Sequence, residues 1–132
     1  MPDTPPALLL FAHGSRDPAW RVPLDAVRDQ VATQHPGACV LGFLEFMQPS
    51  LDEALDGLAL AGERHIQVLP LFWASGKHVR ADLANALAAF GQRHPGVRVD
   101  VSASLGEAPA MQEAIAQWAV AEGRARPYAQ GA

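Results

Sequence analysis

Cysteine is nearly missing from this chain. Cys39 is the single one among 132 residues, so no disulfide can form within the chain, and its flanks Ala38 and Val40 make it read as a small apolar residue of a strand. Long apolar runs are lacking too. The stretches over 7–12 and 68–75 fall well short of a bilayer span, so no membrane-spanning segment is expected. Met1-Pro2-Asp3-Thr4-Pro5-Pro6 holds no basic segment ahead of the first apolar run, which argues against a secretory leader and makes the cytoplasm the expected compartment. Charge is sparse at 18%, the net charge is −4, and no stripe of Lys and Arg is visible. General nucleic-acid binding draws on clustered cations and is not expected. A few cations gathered at one cleft can still hold an acidic small molecule.

Apolar residues make up 49% of the chain, enough for one core, and we expect a single domain over 4–123 followed by a flexible tail over 124–132. Leu8-Leu9-Leu10-Phe11 reads as a buried strand ended by His13-Gly14-Ser15. Asp17-Pro18 supplies an N-cap and a first-turn proline for a helix carrying Val22, Leu24, Val27 and Val31. Cys39 to Phe43 is a second strand. Ser50 and Glu53 form a capping-box pattern for a second helix, with Leu51, Ala54, Leu55, Leu58 and Ala61 as its buried face and Gly62 as its C-cap. A third strand is expected over Ile66–Phe72, a helix from Gly76 to Phe90, a strand over Val97–Val101, and an amphipathic helix from Ala108 to Ala121 around Met111, Ile115 and Trp118. His-Pro-Gly occurs twice, at 35 and 94, each time between a helix and a strand.

Four strand–helix alternations with short connections predict an α/β fold: an open, mainly parallel four-stranded sheet with helices on both faces. Ligands of such sheets bind beyond the carboxyl ends of the strands. That rule sorts the five histidines. His13 follows strand one and His78 follows strand three, together with Ser75, Gly76 and Lys77, while Glu45 follows strand two. His35 and His94 fall on the opposite edge, and His65 starts strand three. Two imidazoles and one carboxylate make a facial ligand set with open positions for a late first-row metal, so His13, Glu45 and His78 are the candidate ligands. A neutral histidine or Glu45 can also serve as a base. Phe46, Met47, Phe72 and Trp73 adjoin these loops as apolar groups for a flat ligand, and Arg16, Lys77 and Arg80 are cations suited to peripheral carboxylates. Ser75-Gly76-Lys77 lacks the glycine pattern of a phosphate loop.

Three segments, Leu9 to Arg16, Phe43 to Leu51 and Val68 to Val79, resemble in order and spacing the signatures of the CbiX/SirB class II chelatases; Ser104-Leu105-Gly106 is similar to that family's last strand-to-loop segment. The resemblance implies a chelatase-like half domain that inserts Co²⁺, Fe²⁺ or Ni²⁺ into a sirohydrochlorin-type tetrapyrrole, in cobalamin or sirohaem biosynthesis. No organic cofactor is implied, and the divalent metal is a substrate. It also implies metal binding by His13 and His78 with Glu45 as the site carboxylate, and these three are the expected metal ligands and catalytic residues; Arg16, Phe46, Met47, Trp73, Ser75, Lys77 and Arg80 are the expected substrate contacts. Longer members hold two such halves around one cleft. A chain with one half resembles the short form, which implies a homodimer. The alternative expectation is a metal- or tetrapyrrole-binding carrier of the same fold without turnover.

Overall fold

Side chains alternate across a strand, and the first strand uses both of its faces. In β1 (Ala7–Ala12), Ala7, Leu9 and Phe11 enter one core while Leu10 and Ala12 enter another. The near-continuous apolar run therefore marks a strand covered on both sides. The computed structural model describes residues 4–125. Within it, β1, β2 (Cys39–Phe43), β3 (His65–Pro70) and β4 (Arg98–Val101) form one parallel sheet in the order β2-β1-β3-β4. The register runs Leu8 to Cys39 and Ala12 to Phe43 on one side of β1, and Ala7 to Ile66 and Phe11 to Pro70 on the other.

The helices are α1 (Val22–Gln34), α2 (Leu51–Leu60), α3 (Lys77–Arg93) and α4 (Pro109–Gly123). Leu51, Ala54, Leu55 and Leu58 of α2, with Leu83 and Phe90 of α3, close the first core over Leu9, Phe11, Ile66 and Val68. The capping box forms as expected. Ser50 N donates to Glu53 Oε1 at 2.8 Å, and Glu53 N donates to Ser50 Oγ at 3.1 Å. Ala59 rather than Ala61 completes the buried face. On the other side of the sheet, Leu24 of α1, Cys39 and Met47 pack against Leu10, Ala12, Leu41 and Phe43. Burial pushes the Cys39 thiol above its usual range, as suits a packing residue.

One local expectation needs correction. Asp17 caps a 3₁₀ turn over Pro18–Arg21, accepting from Ala19 N at 3.0 Å, and α1 begins only after it. No residue of α1 is fully buried: at 100° per residue Val22 lies opposite Leu24, and Val22 is 62% exposed. α4 likewise buries none of its residues, so its apolar side covers little of its own chain. The expected tail begins with Arg124 and Ala125, and its remainder, 126–132, lies outside the described residues.

The two His-Pro-Gly turns do sit at the amino-terminal edge of the sheet. His35 Nε2 donates to the Pro6 carbonyl at 2.7 Å, while His94 Nε2 donates to Asp56 Oδ1 at 3.0 Å beside the Arg93–Asp56 ion pair. At the start of β3, His65 Nε2 donates to Asp100 Oδ2 at 2.8 Å, and Arg98 reaches the same oxygen at 2.9 Å. The His65 hydrogen bond, aided by Arg98, holds the Asp100 carboxyl below its ordinary value of 3.8 against the opposing effect of desolvation. A depressed folded value stabilises the fold above the unfolded value and loses that contribution as pH falls through the folded one. The urea midpoint of Asp100→Asn should therefore lie below that of the parent at pH 6, with the gap closing as pH falls below 3.8. A gap that persists unchanged down to pH 2.5 would disprove this linkage.

Candidate functional site

The chain passes from β1 to β2 on one side, then returns to place β3 on the other side of β1. The crevice left between the loops after β1 and β3 is the switch point where parallel sheets bind ligands. His13 stands one residue beyond β1 at this point. Pairing between β1 and β2 continues past the strands: Leu44 N donates to the Ala12 carbonyl at 2.9 Å and Glu45 N to the His13 carbonyl at 3.1 Å. This backbone zipper brings His13 Nε2 to 3.7 Å from Glu45 Oε1, with both side chains about half exposed.

Gly14 makes that approach possible. Its φ is +96°, and a Cβ there would lie 1.9 Å from the Glu45 carbonyl oxygen. Phe72, just after β3, touches the site from the far side of the crevice. Its ring meets Phe11 edge-on at 5.3 Å and His13 edge-on at 6.3 Å, so an anchored aromatic sets the imidazole's orientation.

Phe46 is the strained residue of the site. Its φ is +66°, and Met47 N donates to the Glu45 carbonyl at 2.8 Å, the pattern of a strained γ-turn about Phe46. The turn throws the Phe46 ring outward to 57% exposure, where the Arg16 guanidinium lies 4.6 Å from its centroid. Met47, partly buried, packs against the second core.

The loop after β3 is fixed at its base. Ser75 Oγ and the buried Ser104 Oγ are hydrogen-bonded, Gly106 N donates to the Phe72 carbonyl at 3.1 Å, and a Cβ on Gly106 would lie 2.0 Å from the Trp73 carbonyl oxygen. Beyond Ser75 the loop is open: Trp73 is 69% exposed, and Lys77, His78 and Arg80 are exposed in the first turn of α3. The structure thus brings together His13 with Glu45 and Arg16 with Phe46. Among the described residues no three His, Cys, Asp or Glu side chains converge closely enough to hold an ion, so His78 stands apart from the pair. Phe72 adjoins the site as expected, while Gly14, Ser104 and Gly106 are supporting residues that sequence reasoning did not assign to it.

A model of the CbiX family matches residues 7–121. The chain belongs to the CbiX family. Among CbiX relatives, a sirohydrochlorin cobaltochelatase of Methanosarcina acetivorans is 35% identical over 81 residues, 61% of this chain and 62% of that protein. One of Saccharolobus solfataricus is 36% identical over 80 residues, with the same shares. The match thus takes in about three fifths of the length of these curated relatives. A crystal structure described as a cobalamin (vitamin B12) biosynthesis CbiX protein from Marinobacter aquaeolei superposes with a TM-score of 0.78 at 26% identity, over 89% of this chain and 97% of that one. SirB from Bacillus subtilis with Fe³⁺ shares the fold at 22% identity and a TM-score of 0.76, over 95% of this chain and 49% of SirB. The expected four-stranded parallel sheet is the fold of these chelatases.

Proposed function

We propose that this chain is a metal chelatase that inserts Co²⁺ or Fe²⁺ into a sirohydrochlorin-type tetrapyrrole. The observation that carries the reading is the His13–Glu45 pair, 3.7 Å apart at the switch point of a CbiX-family sheet whose relatives bear the name sirohydrochlorin cobaltochelatase. Both groups are half exposed, so a metal arriving from solvent can reach them without passage through the core.

The chemistry asks for loose ligation and a base. A metal bound by one imidazole and one carboxylate, with His78 of the first turn of α3 as the third ligand, keeps coordination positions free for pyrrole nitrogens. Such a site releases its ion where a closed four-ligand cage would retain it. Insertion expels two pyrrole N–H protons for each divalent ion. His13 and Glu45, vacated by the metal, are placed to accept one each.

Phe46 and Trp73, both projecting into solvent at the crevice rim, supply aromatic faces for the macrocycle. Arg16, Lys77 and Arg80 meet its carboxylates, and Ser75 fixes the loop from which Trp73 and Lys77 project. A single sheet edge leaves the opposite face of a large ring bare. The active form in this reading is a homodimer, in which a second copy supplies the other wall.

Anaerobic incubation with metal-free sirohydrochlorin and either Co²⁺ or Fe²⁺, followed by absorbance, tests the reading. Metal-dependent spectral conversion with multiple turnovers is the expected result. Stoichiometric binding of ring or ion without conversion would instead identify a carrier.

A further inference from the structure

The segments after β1 and β2 carry both members of each site pair, His13 with Glu45 and Arg16 with Phe46. A third side chain, Arg21, joins the same two segments further along. It ends the 3₁₀ turn over Pro18–Arg21 and stands at the N-cap of α1. Nη1 donates to the Gln48 carbonyl at 3.0 Å, while Nε and Nη2 fork onto the Asp25 carboxylate at 3.3 and 3.2 Å. The guanidinium carbon lies 4.8 Å from the centroid of the fully buried Phe43 ring. All three nitrogens donate within the chain, so this cation differs from Arg16, Lys77 and Arg80, which face carboxylates of a ligand in the reading above. Only a planar fork can serve carboxylate, carbonyl and ring face together; a lysine has one ammonium for all three.

The carbonyl that Arg21 holds lies two residues beyond the strained one. Phe46 has a φ of +66°, and a bulky side chain keeps such a conformation only where the chain on both sides of it is restrained. Upstream, Leu44 N and Glu45 N are bonded to the Ala12 and His13 carbonyls. Downstream, Phe43 N donates to the Pro49 carbonyl at 3.0 Å, and Arg21 reaches Gln48 from outside the loop. A hydrogen bond from a guanidinium is charge-assisted and stronger than its neutral neighbours. Its donor also belongs to the segment that carries His13 and Arg16.

We infer that Arg21 is a positioning residue of the metal site: it clamps the strained turn about Phe46 and thereby keeps Glu45 within reach of an ion held by His13. With the Gln48 carbonyl released, Phe46 returns to negative φ and the γ-turn opens. The Glu45 carboxylate then leaves His13, and the Phe46 ring leaves Arg16. The inference rests on the reading of His13 and Glu45 as metal ligands and adds to it a residue that touches neither metal nor ring.

Titration of the intact chain with Co²⁺ alone, without any tetrapyrrole, and read by the visible absorbance of the bound ion, tests the clamp. Arg21→Met keeps an apolar stem against Phe43, and Arg28, 3.8 Å from Asp25, still faces the freed carboxylate. This variant should bind Co²⁺ about 10- to 100-fold more weakly than the parent, with unchanged circular dichroism. Glycine takes a φ of +66° without penalty, so in a Phe46→Gly background the turn no longer needs holding. There the same substitution should cost less than about threefold, whereas a residue that merely supports the fold costs as much in either background. Arg21→Lys keeps one donor for the Gln48 carbonyl; it should show the same dependence on background with a smaller loss, and it decides the matter if Arg21→Met does not fold. Parent-like Co²⁺ affinity in the Arg21 variants, or equal losses in the two backgrounds, would overturn the clamp. A parent whose Co²⁺ affinity is untouched by His13→Ala would overturn the metal site and the clamp with it. A parent that binds Co²⁺ through His13 but never metallates the ring would sink the chelatase reading alone, since the Co²⁺ affinities still decide the role of Arg21.

Discussion

His13→Ala should lower the rate of metal insertion by on the order of 10³-fold, within the range for loss of a positioned acid–base group. The imidazole has two roles in the proposed reaction, as ligand and then as proton acceptor, and no neighbour replaces it. Among the described residues no other histidine approaches Glu45, and Phe72 contributes only an apolar edge. His13 is more than half exposed and its ring meets the core only at the edge of Phe72, so the variant should keep the parent's thermal midpoint within a few degrees. His78→Ala should also reduce turnover, but through metal affinity, because its side chain stands outside the His13–Glu45 contact. Raising the metal concentration is then expected to restore much of the rate of His78→Ala and little of that of His13→Ala. Single-turnover absorbance at several Co²⁺ concentrations separates the two. Equal rescue of both variants would remove the distinction between ligand and base, and wild-type rates in both would remove the site assignment.

The parts of this site legible in the sequence are those set by period and position along the chain. The apolar run of β1, the Ser50–Glu53 box and the alternation of strand and helix establish a parallel sheet, and the sheet sorts His13 and Glu45 to the ligand-binding edge and His35 and His94 to the other. What the sequence hides are contacts between distant residues. The positive φ of Phe46, which exposes its ring while Met47 packs against the second core, is one such feature. Ser75 and Ser104 lie 29 positions apart, and nothing in either segment announces their hydrogen bond. The stripe on α4 is visible as a pattern, but an amphipathic pattern does not say which surface it covers.

Gly14→Ala is expected to damage fold and site together. Gly14 and Gly62 both have left-handed backbones, with φ of +96° and +97°, yet their surroundings differ. No atom lies within 4 Å of a Cβ built on Gly62, so Gly62→Ala should cost only the conformational penalty, about 1–2 kcal/mol. At Gly14 the same Cβ lies 1.9 Å from the Glu45 carbonyl oxygen, and that atom is backbone, so it cannot rotate away. The loops after β1 and β2 must separate. Separation breaks the Glu45 N to His13 carbonyl hydrogen bond, worth about 1 kcal/mol, and adds overpacking of about 1–3 kcal/mol. Together with the backbone penalty this gives roughly 3–6 kcal/mol, a large part of the 5–15 kcal/mol that holds a typical domain. Urea titration of the two variants beside the parent measures the difference directly. Any Gly14→Ala that folds should also lose on the order of 100-fold in insertion rate, since a displacement of about 1 Å between His13 and Glu45 suffices for that. Equal midpoints for Gly14→Ala and Gly62→Ala would show that the loops part without strain, and that the close approach of Gly14 to Glu45 is not what holds the pair together.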